Sequence, residues 1–262
     1  MFSFIDFLNA PNILYFLQKY ATRRSKVNFK NIDESWVLHK KYVSTLTEPR
    51  LFEFGAGKNL AQNLYLSTEC NEQIVIDLNP MADLGQINES ALQISEIDSD
   101  FIYAPIHSFG DLKKHYRIKY IAPLDASSTG FEDNYIDCCV STHTLEHIPK
   151  IGIIKIFNEL KRVITSDGIV CAKMDYSDHY SHTDPSIGSL NFLAFSEQEW
   201  EKYNHLSHYQ NRLRHYDFVR IFEQLGFDIE VNEPYFDERV KPLYISDCFE
   251  KNNPTLYATS GY

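Results

Sequence analysis

Between residues 50 and 236 the chain keeps switching between two periods. Short apolar runs, RLFEF (50–54), QIVIDL (73–78), KYIAPLD (119–125), YIDCCVST (135–142) and IVCAKMDY (169–176), read as strands. Between and after them, LAQNLYLST (60–68), LGQINESALQISEI (84–97), IGIIKIFNELKRVI (151–164) and YDFVRIFEQLGF (216–227) place apolar residues at helical spacing. SDG at 166–168 reads as a stop after the third of these helices, and Gly226 closes the fourth. DIEVNEPYF (228–236) reads as a further strand, and TLYATSG (255–261) as an antiparallel edge strand. Strands that alternate with helices need crossover connections. The result is an α/β chain with a mostly parallel sheet that binds ligands beyond the carboxyl ends of its strands. The residues to inspect are therefore 53–59, 77–80, 125–128, 141–147 and 175–184, and each stretch is chemically loaded.

The first stretch is EFGAGKN. Gly55 and Gly57 suit a tight turn with close backbone approach to a ligand, and the next helix is expected to start near Lys58. A dinucleotide fingerprint wants G-x-G-x-x-G, but Leu60 holds the third position. Lys58-Asn59 after Gly57 also rules out a P-loop. Glu53 sets a carboxylate beside the glycines, where it repels a pyrophosphate and suits a cation. Asp77, 22 residues after Gly55, is placed to accept from both ribose hydroxyls of a nucleoside. Asp125 suits an exocyclic adenine amine, with the Ala126 N–H for a ring nitrogen. The ordinary alternatives are a plain tight turn at the glycines and helix caps at Asp77 and Asp125. A nucleoside site with an acid where a pyrophosphate should lie points to a nucleoside that carries positive charge, and S-adenosylmethionine is such a molecule.

LFEFGAG, VIDLNP, PLDA, YIDCCVSTHTLEHIP and NELKRVITSDGIVCAKM, in that order over about 50–175, resemble the successive motifs of class I S-adenosylmethionine-dependent methyltransferases. The resemblance implies a Rossmann-like sheet with the cofactor lying across its strand ends. Glu53, Gly55 and Gly57 then surround the methionine moiety, Asp77 takes the ribose, and Asp125 with Ala126 takes the adenine. Ser141, Thr142 and His143 line the methyl-donor face, and Asn59 and Leu78 complete the expected cofactor set. The departure is Lys58-Asn59, where many members have a third glycine.

STHTLEHIP (141–149) spaces His143, Glu146 and His147 as H-x-x-E-H, which certain zinc hydrolases use. Those enzymes need a continuing helix, and Pro149 prevents one, so the segment is expected to be a short turn with the true helix starting near Lys150. Glu146 and His147, with His179 and His182 from DYSDHYSHTDP (175–185), are good ligand types for a divalent ion. The segment resembles that of small-RNA 2′-O-methyltransferases, which hold a metal with a Glu–His turn and a later histidine; here His143 stands where they have glutamate. Without a metal, His179 and His182 are the leading general bases for deprotonating a hydroxyl, with His143 as a third catalytic candidate. The plain alternative is that His143 and Glu146 only fix the turn. For His205, His208 and His215 surface or substrate-loop packing is expected.

Residues 176–214 read as a substrate-loop insertion rich in Tyr, His and Asn, with Trp200. That composition suits sugar faces and equally a protein lid. The stretch resembles methyltransferases of bacterial surface-polysaccharide biosynthesis, which implies a glycan or activated-sugar acceptor methylated at oxygen. The rivals are a metal-dependent RNA 2′-O-methyltransferase-like enzyme and a relative that binds the cofactor without catalysis.

Charge bears on those rivals. The first 50 residues carry eight Lys/Arg against four acids, a net of +4, which leaves −15 for the rest of a chain whose net charge is −11. An acidic body repels phosphate backbones and disfavours nucleic acid. The opening 1–48 reads as an N-terminal helical extension before a methyltransferase domain at 49–262. Its apolar-then-basic order does not read as a secretory signal, and polar breaks rule out a span, but residues 1–30 suit peripheral contact with an anionic membrane. Five cysteines without a C-x-x-C pair suit a reduced, cytoplasmic protein. Oligomeric state has no signature in the sequence.

Overall fold

The computed structural model of the protein describes residues 29–205, 209–237 and 244–262. The membrane contact expected of 1–30 therefore lies, but for Phe29 and Lys30, outside the described residues, as does His208. Among the described residues one compact unit holds 29–142 and 158–172, and a second holds 143–157 and 173–262.

In the first unit a helix, α1 (Glu34–Val43), precedes the sheet, and Asp33 caps it by accepting from the Ser35 N–H. Strand β1 (Arg50–Phe54) is followed by α2 (Ala61–Leu66), β2 (Glu72–Ile76) by α3 (Leu84–Ile97) and α4 (Phe109–Tyr116), and β3 (Ile118–Ile121) leads to β4 (Ile136–Thr142) with no helix between them. α5 (Lys150–Val163) and β5 (Ile164–Asp175) run through both units. The second unit adds α6 (Glu197–Trp200), α7 (His215–Gln224), β6 (Pro234–Tyr235) and β7 (Ser260–Gly261). The seven strands take the order β3-β2-β1-β4-β5-β7-β6. β1 pairs in parallel with β2 and β4, and β2 with β3. β7 is antiparallel to both β5 and β6, so the sheet is mostly parallel with an antiparallel edge. No helix among the described residues is long and apolar enough to cross a membrane.

The buried strands read as continuous apolar runs because both faces are covered. Leu51, Phe52, Val75, Ile76, Cys138, Cys139 and Val140 are all fully buried. Each such side chain contributes about 1.5–3 kcal/mol of transfer free energy. Five boundaries depart from the sequence reading. The α2 helix starts at Ala61 rather than near Lys58, after a turn through Leu60 in the left-handed region. The strand expected over 119–125 ends at Ile121, where Pro123 removes the next ladder donor. SDG is no stop, because β5 already runs from Ile164. The strand expected over 228–236 shrinks to Pro234–Tyr235, and that over 255–261 to Ser260–Gly261, with β6 lying outside β7. α4 was not signalled by apolar periodicity. Its signal is Ser108, which accepts from the Asp111 N–H, and Arg117, which closes the helix at φ 60°.

Candidate functional site

In the first unit the ends of β1, β2 and β4 bring together the residues expected to hold a cofactor. Gly55 (φ 75°) and Gly57 (φ 76°) both occupy the left-handed region. The Gly55 N–H donates to the Ile76 carbonyl at 2.9 Å, which ties this loop to β2. A Cβ on Gly57 would meet nothing within 4 Å, so its glycine serves backbone angle and leaves open space beside it. Leu60, the third position of the glycine pattern, also has φ 46° and is 1% exposed. A leucine there costs about 1–2 kcal/mol of backbone strain, which its burial offsets. Asn59 Oδ1 accepts from the Ala61 N–H and steadies the same turn.

Glu53 is 4% exposed, and burial pushes its carboxyl from 4.5 up to about 8, against hydrogen bonding from Gln62 and Asn63 and with the Asp77 charge adding to the rise. Asn63 Nδ2 donates to Glu53 Oε2 at 2.7 Å. No cation is among the groups acting on it. Asp77 is also 4% exposed and is pushed up to about 6 by burial, although Tyr120 and the Gly57 backbone hydrogen-bond to it. The Tyr120 hydroxyl donates to Asp77 Oδ2 at 2.7 Å and accepts from the Met81 and Ala82 N–H groups. Asp77 is not a helix cap; Asp83 caps α3. A buried carboxyl pair with no counter-cation acting on Glu53 among the described residues, open space at Gly57, and a buried Ser141 Oγ with no hydrogen-bond partner among those residues together fit a polar ligand that carries positive charge.

Other expected members sit differently. Thr142 turns its hydroxyl inward, donating to Gln62 Oε1 at 2.6 Å and lying 2.7 Å from His39 Nε2. Leu78 is 66% exposed. Asp125 is exposed and uses Oδ1 to accept from the Ser127 N–H at 2.8 Å, while Ala126 is buried. His39, Gln62, Asn63 and Tyr120 were missed by sequence reasoning, since isolated polar letters in apolar runs carry no signal until the fold buries them.

The second unit gathers the acid–histidine residues. Leu145–His147 is a single 3₁₀ turn and α5 starts at Lys150, as Pro149 requires. His143 is held at φ 51° by its N–H, which donates to the Lys173 carbonyl. Asn211, also unforeseen, clamps the turn: its Nδ2 donates to the Leu145 and Ile148 carbonyls at 2.8 Å each, and its N–H donates to the Glu146 carbonyl. The Glu146 carboxylate is buried, and among the described residues neither oxygen is hydrogen-bonded; His143 Nδ1 lies 3.7 Å from Oε1. His147 Nδ1 lies 3.0 Å from the Tyr209 carbonyl. A carbonyl only accepts, so Nδ1 carries the proton and Nε2 of the neutral ring keeps a lone pair.

His179 Nε2 is 3.4 Å and His182 Nε2 3.8 Å from Asp175 Oδ2. Burial works to raise Asp175, but hydrogen bonds from His179 and Ser177 outweigh it and hold the carboxyl down at about 2. His182 also meets Ser177 Oγ at 3.1 Å. The His179 ring lies 4.9 Å from that of His147 and 5.0 Å from that of His182. Three overlapping sets have ligand atoms within 4.8 Å of one another: Glu146 with His147 and His179, Asp175 with His179 and His182, and His143 with Glu146 and Asp175. His215 is core, between Tyr176 and Asn232. Trp200 is core too, packed with Phe192, Leu193 and Leu256, so it offers no face to a sugar.

A family profile described as a methyltransferase domain matches residues 104–172, which takes in β3 to most of β5 but not Glu53–Asp77. No curated protein matches the chain. Among solved structures, a phosphoethanolamine N-methyltransferase 2 of Haemonchus contortus, in complex with phosphomonomethylethanolamine and S-adenosylhomocysteine, aligns with 18% identity and a TM-score of 0.50. The alignment covers 79% of this chain and 40% of that one. The YcgJ protein of Bacillus subtilis aligns with 19% identity and a TM-score of 0.47, covering 77% and 74% of the two chains.

Proposed function

We propose that this chain is a class I S-adenosylmethionine-dependent methyltransferase, a reading that the methyltransferase-domain match over 104–172 and the sheet order support, and that it methylates a hydroxyl of a bacterial glycan or activated sugar. The observation that carries the cofactor reading is the buried pair Glu53 and Asp77 at the ends of adjacent parallel strands, with no cation acting on Glu53. When bound, S-adenosylmethionine supplies an electrophilic methyl group on a positively charged sulfur. Glu53 supplies the negative charge that this molecule lacks a partner for, and Asp77 accepts from its ribose hydroxyls.

The oxygen acceptor rests on the acid–histidine group. A hydroxyl is a poor nucleophile until its proton is taken. Asp175, already ionised, orients His179 and His182, and a neutral imidazole near pH 7 takes that proton. The sugar identity rests on the resemblance of residues 176–214 and not on Trp200, which is buried. Incubation of the protein with methyl-labelled cofactor and a panel of glycans and nucleotide sugars, read by mass spectrometry, tests this. Labelled sugar is expected. Cofactor binding without any labelled acceptor would indicate a non-catalytic relative, and absence of cofactor binding would overturn the class assignment.

One observation favours a second reading of the same residues. One oxygen of the buried Glu146 carboxylate lies with a nitrogen of His147 and one of His179 at ligand spacing, so these three could hold a divalent ion against the acceptor. Elemental analysis of the purified protein, and turnover before and after chelation, separates the readings: bound metal and lost turnover favour the ion, and full turnover in the stripped protein leaves histidine as the base alone.

A further inference from the structure

The first unit holds a polar chain that begins outside the sheet. His39 is on α1 and is 0% exposed. Its Nε2 lies 2.7 Å from Thr142 Oγ1 at the end of β4. Thr142 has one hydroxyl proton, and it goes to Gln62 Oε1 at 2.6 Å. His39 must therefore be the donor, which fixes its tautomer with the proton on Nε2. With Gln62 Oε1 accepting from Thr142, the amide nitrogen Nε2 is the end that faces the other way. That nitrogen is buried and finds no partner in good hydrogen-bond geometry, yet Gln62 is among the groups that favour the charged form of Glu53. The two hydrogen bonds point one way, from His39 to Thr142 to Gln62, and the Gln62 side chain that ends them is among the groups acting on the Glu53 carboxyl.

We propose that His39 is a positioning residue for the cofactor-site carboxylate: its Nε2–H starts a one-way hydrogen-bond chain, through Thr142 and Gln62, that aims an amide at Glu53. A buried donor without a full acceptor is costly in the ligand-free state. It becomes favourable once Glu53 ionises, so the chain is poised for the charged carboxylate. The helix before the sheet thereby takes part in the cofactor site without touching the cofactor. The other groups facing Glu53 are Asn63, Asp77 and the Cys139 thiol, and the proposal leaves all three in place. Lys40 on the same helix is paired with Glu69.

The functional consequence rests on Glu53 belonging to the cofactor site; the chain of bonds does not. The test uses the full protein and two substitutions. His39→Leu fills the space without a donor, and His39→Gln restores an N–H near the same place. The primary readout is the titration midpoint of Glu53 in the free protein, followed by ¹³C NMR of its carboxyl. His39→Leu is expected to raise it by about half a pH unit or more, and His39→Gln to bring it back. Cofactor affinity at pH 7 should fall by about threefold in the leucine variant and recover well above the midpoint. A leucine variant with a lower melting temperature but an unmoved midpoint overturns the proposal. If that variant does not fold, Thr142→Val breaks the same chain and is read the same way. A moved midpoint in a protein that binds no cofactor upholds the positioning role and overturns the proposed function instead; cofactor binding with an unmoved midpoint does the reverse.

Discussion

Glu53 and Asp175 are both acids at the carboxyl end of a strand, and both are largely withdrawn from water, yet they titrate in opposite directions. Glu53 is pushed up to about 8 because burial outweighs two amide donors and the neighbouring Asp77 charge adds to it. Asp175 is held down at about 2 because His179 and Ser177 outweigh its burial. The difference is in the partners. Asp175 already has imidazoles beside it, so it ionises in the free protein. Among the described residues no cation acts on Glu53, which is why we assign its charge to a bound ligand in the proposed function. One carboxyl is charged by neighbours already in place, and the other is kept protonated by its burial.

The largest expected effect breaks the Asp175 side of this contrast. His179→Ala and His182→Ala should lower turnover, by about 10²–10⁴-fold for whichever is the base, with cofactor affinity nearly intact. If neither lowers turnover, the base lies elsewhere. On the other side, Asp77→Ala removes the acceptor for two hydroxyls, each charged bond contributing about 1.5–3 kcal/mol. Calorimetry should then show affinity weakened by more than about 100-fold, and an unchanged value would sink the nucleoside site.

Glu53→Gln sharpens the contrast through pH. In the wild type the carboxyl must lose a proton before it can pair with a cation. Affinity should therefore fall by up to about tenfold per pH unit as pH drops below 8, and this slope should vanish in the glutamine variant. The stability signs are opposite for the two acids. Glu53 is raised, so the fold resists its ionisation, and stability is lost as pH rises from the ordinary carboxylate range through about 8. Asp175 is lowered, so its contribution is complete above its ordinary value of 3.8 and is lost as pH falls towards 2. Asp175→Asn should flatten the acid limb of a melting-temperature profile by the equivalent of about 1–2 kcal/mol, leaving the alkaline limb alone. The smallest change is Tyr120→Phe. It removes one hydrogen bond to Asp77, about 0.5–1.5 kcal/mol, and cofactor affinity should fall by about two- to tenfold.

Leu60 and Asn211 mark where reading from letters stops. A glycine pattern interrupted by leucine counts against a left-handed turn, yet Leu60 takes φ 46° because its side chain is buried beneath the loop. Asn211 lies 65 residues after Glu146 and looks like any polar letter in a long insertion, yet it holds the whole 3₁₀ turn. Trp200 misled in the other direction, because an aromatic in a polar stretch reads as a binding face until the core around it is seen.

The local order was legible in the sequence by itself. Period and length marked β1, β2, β4, α3 and α5 to within a residue or two, since apolar periodicity and backbone geometry are the same constraint. Pro149 likewise dictated a short turn rather than a metal-binding helix, because a proline acts on its own neighbours. The tertiary structure alone decided which acids are charged, which way the Thr142 hydroxyl points, and that a histidine on α1 addresses the end of β4. Those properties depend on burial and on hydrogen-bond direction, with partners as far apart as the 103 residues between His39 and Thr142, and neither burial nor bond direction is written in any short stretch of residues.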